Sequence, residues 1–237
     1  MLAVTFSAAL TVNLVERHGS NELVKRAQLS DGTHGLQGGK INKSLSWMSS
    51  GILLVGEALW RPQQNLQDRH LDSPRQRIEF WTPAVADGTT QKFKWRFYLS
   101  SQTKTTKNFF HLMQVLSRGD GSEDAEPVVT LDAVNDRIMI KDYVRDCDVT
   151  GCPSIPWTAL PTALRSTSLP SPLVRRGASS MSSRTPQDES VALLSYSVKG
   201  AMGSDSSSIK FGTYRLAVDG MTESLAYAGD FVDESDS

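Results

Sequence analysis

Between residues 75 and 99 polar and apolar positions alternate along two separate segments. Arg75, Arg77, Glu79 and Trp81 interleave with Gln76, Ile78 and Phe80, and Lys92, Lys94, Arg96 and Tyr98 interleave with Phe93, Trp95, Phe97 and Leu99. Successive side chains of a strand point to opposite faces, so each segment predicts a half-buried strand with one charged face. Asp87 and Gly88 lie between them and predict a turn. Residues 109–117 (FFHLMQVLS) form an apolar run carrying one imidazole and one carboxamide, and read as a central buried strand beneath a polar binding face. Strict period two groups His111 with Phe109, Met113 and Val115, and Gln114 with Phe110, Leu112 and Leu116. At most one of the two polar groups then faces a given groove.

Further strands are predicted at 128–131 and at 137–144, the second placing Met139, Lys141 and Tyr143 opposite Ile138, Ile140 and Asp142. Periodicity returns from residue 191 and again from 208. Residues 29–40 and 44–55, the latter around Trp47, read as the first hairpins, whereas 58–67 lacks clean alternation and reads as an exposed loop. Strand after strand without an amphipathic helix predicts an all-β domain, a sandwich or jelly roll of two antiparallel sheets.

Residues 157–187 break this pattern. They are rich in serine, proline and arginine, have no β period, and resemble a disordered insert. A structureless stretch of that length inside a compact domain is itself an anomaly. Back-translating residues 169–185 with permitted codons and reading from the third base gives, among its products, AVTVGPSGSIKYVVKDA, two alternating strands around a Pro-Ser-Gly turn. The same offset applied to 161–167 gives DRTTLH. The hypothesis is that this part of the chain is translated out of frame, and a transcript that confirms the present frame would count against it.

With 237 residues the chain is long enough for one all-β domain with a substantial core. Lys plus Arg number 25 against 26 Asp plus Glu, which gives none of the net basicity of a nucleic-acid binder. Residues 2–15 are mainly small and apolar, too short to span a bilayer, and a polar stretch ending in Lys25 and Arg26 follows. The pattern reads as a secretory signal and a dibasic processing site; a buried first strand or helix is the alternative, because a basic n-region is missing. The expected plan is a signal peptide and pro-segment over 1–26, a β domain over 27–232 and an acidic tail over 233–237. Cys147 and Cys152 are the only cysteines, and in an oxidising compartment their separation suits a small disulfide-closed loop, with two free thiols as the alternative. The acidic loop at 118–127 (RGDGSEDAEP) lacks a fixed calcium-ligand spacing and reads as solvated, so no metal or other cofactor is expected.

One basic strand face beside the other invites an anion; the alternative is two solvated sheet faces whose arginines and lysines pair with local carboxylates. Residues 75–80 (RQRIEF), 109–114 (FFHLMQ) and 209–215 (IKFGTYR) together resemble, in order and spacing, the three strand motifs of the jelly-roll polysaccharide lyases. Over roughly residues 29–231 the chain looks like a secreted fungal member of the heparin lyase, glucuronan lyase and alginate lyase-like group. The resemblance implies a concanavalin A-like β-jelly-roll sandwich. It also implies β-elimination on an acidic, uronate-containing polysaccharide by an extracellular monomer with no nucleic-acid or membrane partner. Arg77 and Gln114 would bind the uronate carboxylate, and Tyr214 would serve as acid, base or both. Removing the C5 proton requires that the adjacent carboxylate's charge be offset as an enolate-like intermediate forms. Arg75, Lys94, Arg96 and Lys210 would hold the polymer, and Lys210, on the strand face of Tyr214, is the candidate cation for a phenolate.

Two departures bear on the base. The alginate-lyase form of the central motif has a histidine two residues after the glutamine, where this chain has Leu116. His111 lies on the opposite face from Gln114 under period two and reads as a satisfied histidine rather than the base. His70, just before the first motif, is the other substitute. Two alternatives stand beside the lyase: a carbohydrate-binding jelly roll without turnover, and the inactive product of a damaged lyase-like gene. A glycoside hydrolase would need a second carboxylate facing Glu79, which pairs more naturally with Arg77 or Arg75 on its own face.

Overall fold

The computed structural model describes residues 27–32, 34–55, 59–64, 74–86, 88–100, 102–118, 125–159, 165–173, 177–184, 192–200, 205–219 and 221–235. Strands dominate them: β1 (Ala27–Asp31), β2 (Gln37–Lys40), β3 (Ser46–Ser49), β4 (Ile52–Val55), β5 (Leu59–Gln64), β6 (Arg75–Trp81), β7 (Val85–Ala86), β8 (Thr89–Leu99) and β9 (Phe110–Arg118). The second half adds β10 (Ala125–Val134), β11 (Arg137–Asp142), β12 (Ser154–Pro156), β13 (Arg165–Leu173), β14 (Gly177–Arg184), β15 (Ala192–Gly200), β16 (Ser206–Leu216) and β17 (Ser224–Asp233). One helical turn, α1 (Cys147–Thr150), sits inside the loop closed by the Cys147–Cys152 disulfide. Among the described residues no helix is long and apolar enough to cross a membrane.

The strands form two antiparallel sheets, and the fold is the all-β jelly roll that the alternation predicts. The first sheet has the order β1-β4-β5-β17-β8-β13-β14-β15, the second β12-β11-β10-β9-β16-β6-β3-β2, with β7 on β16. The apolar faces meet between them. From the first sheet come Phe93, Trp95, Phe97 and Leu99, and from the second Ile78, Phe80, Met113, Ile209 and Phe211, all in one buried cluster. Trp95 stacks on Phe211 at 4.5 Å between ring centroids, and Phe80 and Phe231 each lie within 5.6 Å of the same ring. Each large side chain removed from water contributes about 1.5–3 kcal/mol, so this aromatic seam fixes how the sheets face each other. Gln76 is buried on the same face, where it accepts a 2.9 Å hydrogen bond from Nε of the fully buried Arg215.

Three expectations change. First, β6 and β8 belong to opposite sheets, because the chain crosses the sandwich between them. Their basic faces are therefore not adjacent. Second, residues 59–64 form β5, paired with β4 and β17, although their sequence does not alternate. Third, the stretch that reads as an irregular insert contains β13 and β14, an antiparallel pair inserted between β8 and β15. At the C-terminus, β17 runs to Asp233, and Glu234 and Ser235 are tied to Lys92. The N-terminal segment 1–26 and the acidic loop at 119–124 lie outside the described residues.

Candidate active site

The outer face of the second sheet gathers the chemistry-bearing residues on five neighbouring strands. Its centre is set by a register shift at Leu112. Met113 pairs with Leu131 of β10 and Phe211 of β16, but His111 pairs with Asp132 and Tyr214, one residue further along β10 and three along β16. Leu112 and Met113 are both buried in the core, at 2% and 1% exposure. With two consecutive residues turned inward, His111 and Gln114 emerge on the same outer face. This corrects the opposite-face expectation, which assumed an unbroken pleat. His111 and Gln114 stand three positions apart, an odd spacing that shares one outer face only across a bulge, and the partner strands set that bulge.

Opposite the bulge, β16 carries Gly212 at φ +136°. A Cβ there would lie 2.3 Å from the Ile78 carbonyl oxygen and 3.0 Å from the Glu79 Cα. Only glycine lets β16 approach β6 this closely. The approach brings Tyr214 into register with Arg77 on one side and His111 on the other.

The contacts run continuously across the face. Gln114 Nε2 donates to Glu79 Oε1 at 2.7 Å, and Arg77 Nε stands 4.0 Å from Glu79 Oε2. Glu79 is only 2% exposed, so its carboxylate is a buried charge held by an amide and a guanidinium. The Arg77 guanidinium lies 4.1 Å from the centre of the Tyr214 ring, in cation–π contact. Tyr214 in turn sits 5.7 Å from the His111 ring and 5.0 Å from Phe109, which stacks on His111 at 5.1 Å. His111 Nδ1 is 2.6 Å from Asp132 Oδ1, and Lys141 Nζ of β11 is 3.0 Å from Asp132 Oδ2. Burial pushes the Asp132 carboxyl up, but the His111 hydrogen bond and charge together with Lys141 outweigh it and leave the group below the ordinary carboxylate value.

Of the sequence-derived site, Arg77, Gln114, Tyr214, His111 and Lys210 come together on this face. Arg75, at its edge, lies 6.0 Å over the Phe109 ring. Lys210 is in register with Gln114 and Trp81, two residues along β16 from Gly212. Burial lowers its ammonium pKa, Glu79 opposes this, and Arg77 and Arg118 reinforce it. The cation that contacts the Tyr214 ring is Arg77. Lys94 and Arg96 do not join: β8 lies in the other sheet, and Arg96 pairs with Asp230 at 2.9 Å. His70 lies outside the described residues. Sequence reasoning missed Asp132 and Lys141 as site residues. The predicted strand at 128–131 stopped one residue short of Asp132, although a carboxylate within the apolar run VVTLDAV was a visible signal.

No protein-family profile and no curated protein sequence matches the chain. Solved structures match by fold. A family 7 alginate lyase in complex with substrate, carrying one His-to-Asn and one Tyr-to-Phe substitution, aligns at TM-score 0.54 and 12% identity over 88% of this chain and 91% of its own. An endo-β-1,4-glucuronan lyase from the fungus Trichoderma reesei aligns at TM-score 0.52 and 14% identity over 87% and 94%. An alginate lyase from Pseudomonas aeruginosa aligns at TM-score 0.51 and 12% identity over 81% and 98%. The fold is thus similar to that of the jelly-roll polysaccharide lyases, the likeness that the three strand motifs carry.

Proposed function

We propose that the protein is a secreted lyase that cleaves a uronate-containing polysaccharide by β-elimination. The observation that carries this reading is the placement of Arg77, Gln114, His111 and Tyr214 in one contact chain on one sheet face. Arg77 and the remaining N–H of the Gln114 amide meet the uronate carboxylate and offset the charge that grows there as C5 loses its proton. His111 Nε2 accepts that proton, since its other ring nitrogen is engaged by Asp132. The electron pair left at C5 forms the C4–C5 double bond, the C4–O4 bond breaks, and O4 takes the proton of the Tyr214 hydroxyl. Return of the His111 proton to the phenolate restores both groups. The imidazole that the Leu116 position lacks is thereby supplied from the other side of Gln114. Secretion is supported by the apolar N-terminal stretch and by the Cys147–Cys152 disulfide, which persists in oxidising compartments.

The test is ultraviolet absorbance of unsaturated uronate ends during incubation with glucuronan, alginate and heparin-like polymers. The conjugated double bond arises by elimination and not by hydrolysis. A rise with at least one polymer is expected; silence with all three from a folded chain would favour the carbohydrate-binding alternative.

A further inference from the structure

We infer that Asp132 is a positioning residue that holds His111 in the tautomer with the proton on Nδ1 and Nε2 open to the groove, and that Lys141 fixes the polarity of this arrangement. The inference rests on the reading of His111 as the base. Three adjacent strands contribute one residue each. His111 of β9 and Asp132 of β10 are cross-strand partners, and Lys141 reaches Asp132 from β11. Asp132 has no exposed surface, so its charge is compensated by the imidazole at one oxygen and the ammonium at the other. A carboxylate accepts but does not donate, so at 2.6 Å Asp132 accepts a hydrogen bond from the Nδ1–H of His111, which leaves Nε2 as the nitrogen that can act as base. The rings of Phe109 and Tyr214 on the imidazole restrict its rotation, so Nε2 keeps a fixed direction.

Lys141 makes the arrangement testable. In D132N the new amide has one oxygen and one NH2 to place between an ammonium and an imidazole. The ammonium can only donate, so the amide oxygen turns to Lys141 and the NH2 turns to His111 Nδ1. That nitrogen must then accept, the ring proton moves to Nε2, and Nε2 no longer takes up the C5 proton. Removing Lys141 as well frees the amide to rotate its oxygen towards Nδ1. A tie that merely joined strands would show no such dependence on Lys141.

The experiment uses the full chain with 15N-labelled histidine, reading the His111 ring nitrogens by NMR, alongside kcat and KM on whichever of glucuronan, alginate or heparin-like polymer gives the ultraviolet signal. The wild type is expected to carry its proton on Nδ1. D132N is expected to carry it on Nε2, with kcat lower by about 10²–10⁴-fold, the range of general-base catalysis, and KM unchanged. D132N/K141M is expected to regain the Nδ1 proton and part of kcat. A wild type protonated on Nε2 overturns the inference without any variant, so it stays falsifiable even if D132N fails to fold. A D132N chain that keeps both the Nδ1 proton and full turnover overturns it too. A tautomer switch in a protein whose wild type is silent on all three polymers upholds the orienting role of Asp132 and overturns the lyase reading instead.

Discussion

The Tyr214 ring is enclosed by Arg77, Phe109 and His111, and every one of those contacts is made by the ring rather than by the hydroxyl. Tyr214→Phe therefore keeps the cation–π and ring contacts and removes only the proton donor. Turnover should fall by about 10²–10⁴-fold while retention on a uronate polymer and the melting temperature stay unchanged. A carbohydrate-binding protein would show no change in either, and a loss of retention would mean that the hydroxyl anchors the polymer instead of protonating it. Gly212 makes the complementary prediction. At its φ of +136°, an added methyl would stand 2.3 Å from the Ile78 carbonyl oxygen, which leaves no room for Gly212→Ala without pushing β16 off β6. Backbone strain alone should cost about 1–3 kcal/mol, with the clash adding to it. A lower urea midpoint together with lost turnover is expected, because Tyr214 and Arg77 share that strand pair; a wild-type midpoint would show that the close approach is not needed.

At the level of strands, the parts that alternate were readable and the parts that depend on another strand's register were not. The burial of β6, β8 and β11 follows their period-two patterns along most of their length. No local pattern could show that β6 and β8 face away from each other across a sandwich, nor that Leu112 and Met113 both turn inward, since both facts are set by partners distant in sequence. β13 poses the opposite problem, a strand whose sequence argues against it. It lies between β8 and β14, with Pro170 opposite Lys92 and Pro172 opposite Thr90. Proline has no N–H to donate and is rarely found inside a sheet. The frame-shifted product replaces both prolines with valine, and its Pro-Ser-Gly turn falls at residues 174–176, between the end of β13 and the start of β14. A frame-restored chain is therefore expected to give more soluble protein and a higher melting temperature than the chain as it stands. Equal stability of the two, or transcripts that carry the present frame throughout, would count against a frame error.

Over the whole molecule the charges nearly cancel, so attraction for a polyanion has to come from how they are distributed. On the first sheet, Lys92 is paired with Glu234 at 2.8 Å and Arg96 with Asp230 at 2.9 Å. On the second, Arg75 lies at the edge over Phe109, and Arg77 of β6 and Lys210 of β16 flank the buried Glu79, which Gln114 and Arg77 hold. Distance decides how much the first sheet can contribute. Stacked sheets are about 10 Å apart, and side chains pointing outward from the far sheet stand further away still. At about 0.15 M salt the screening length is about 8 Å, so the β8 cations lie beyond the reach of a polymer on the second sheet. K94E/R96E should therefore leave the KM for a uronate polymer unchanged, whereas Arg75→Gln should raise it, and added salt should weaken binding through the second-sheet cations alone. KM measured for both variants across a salt series checks this. An equal rise from both would mean that the polymer wraps around both sheets, and the site on the outer face of β6, β9 and β16 would then be only part of what it contacts.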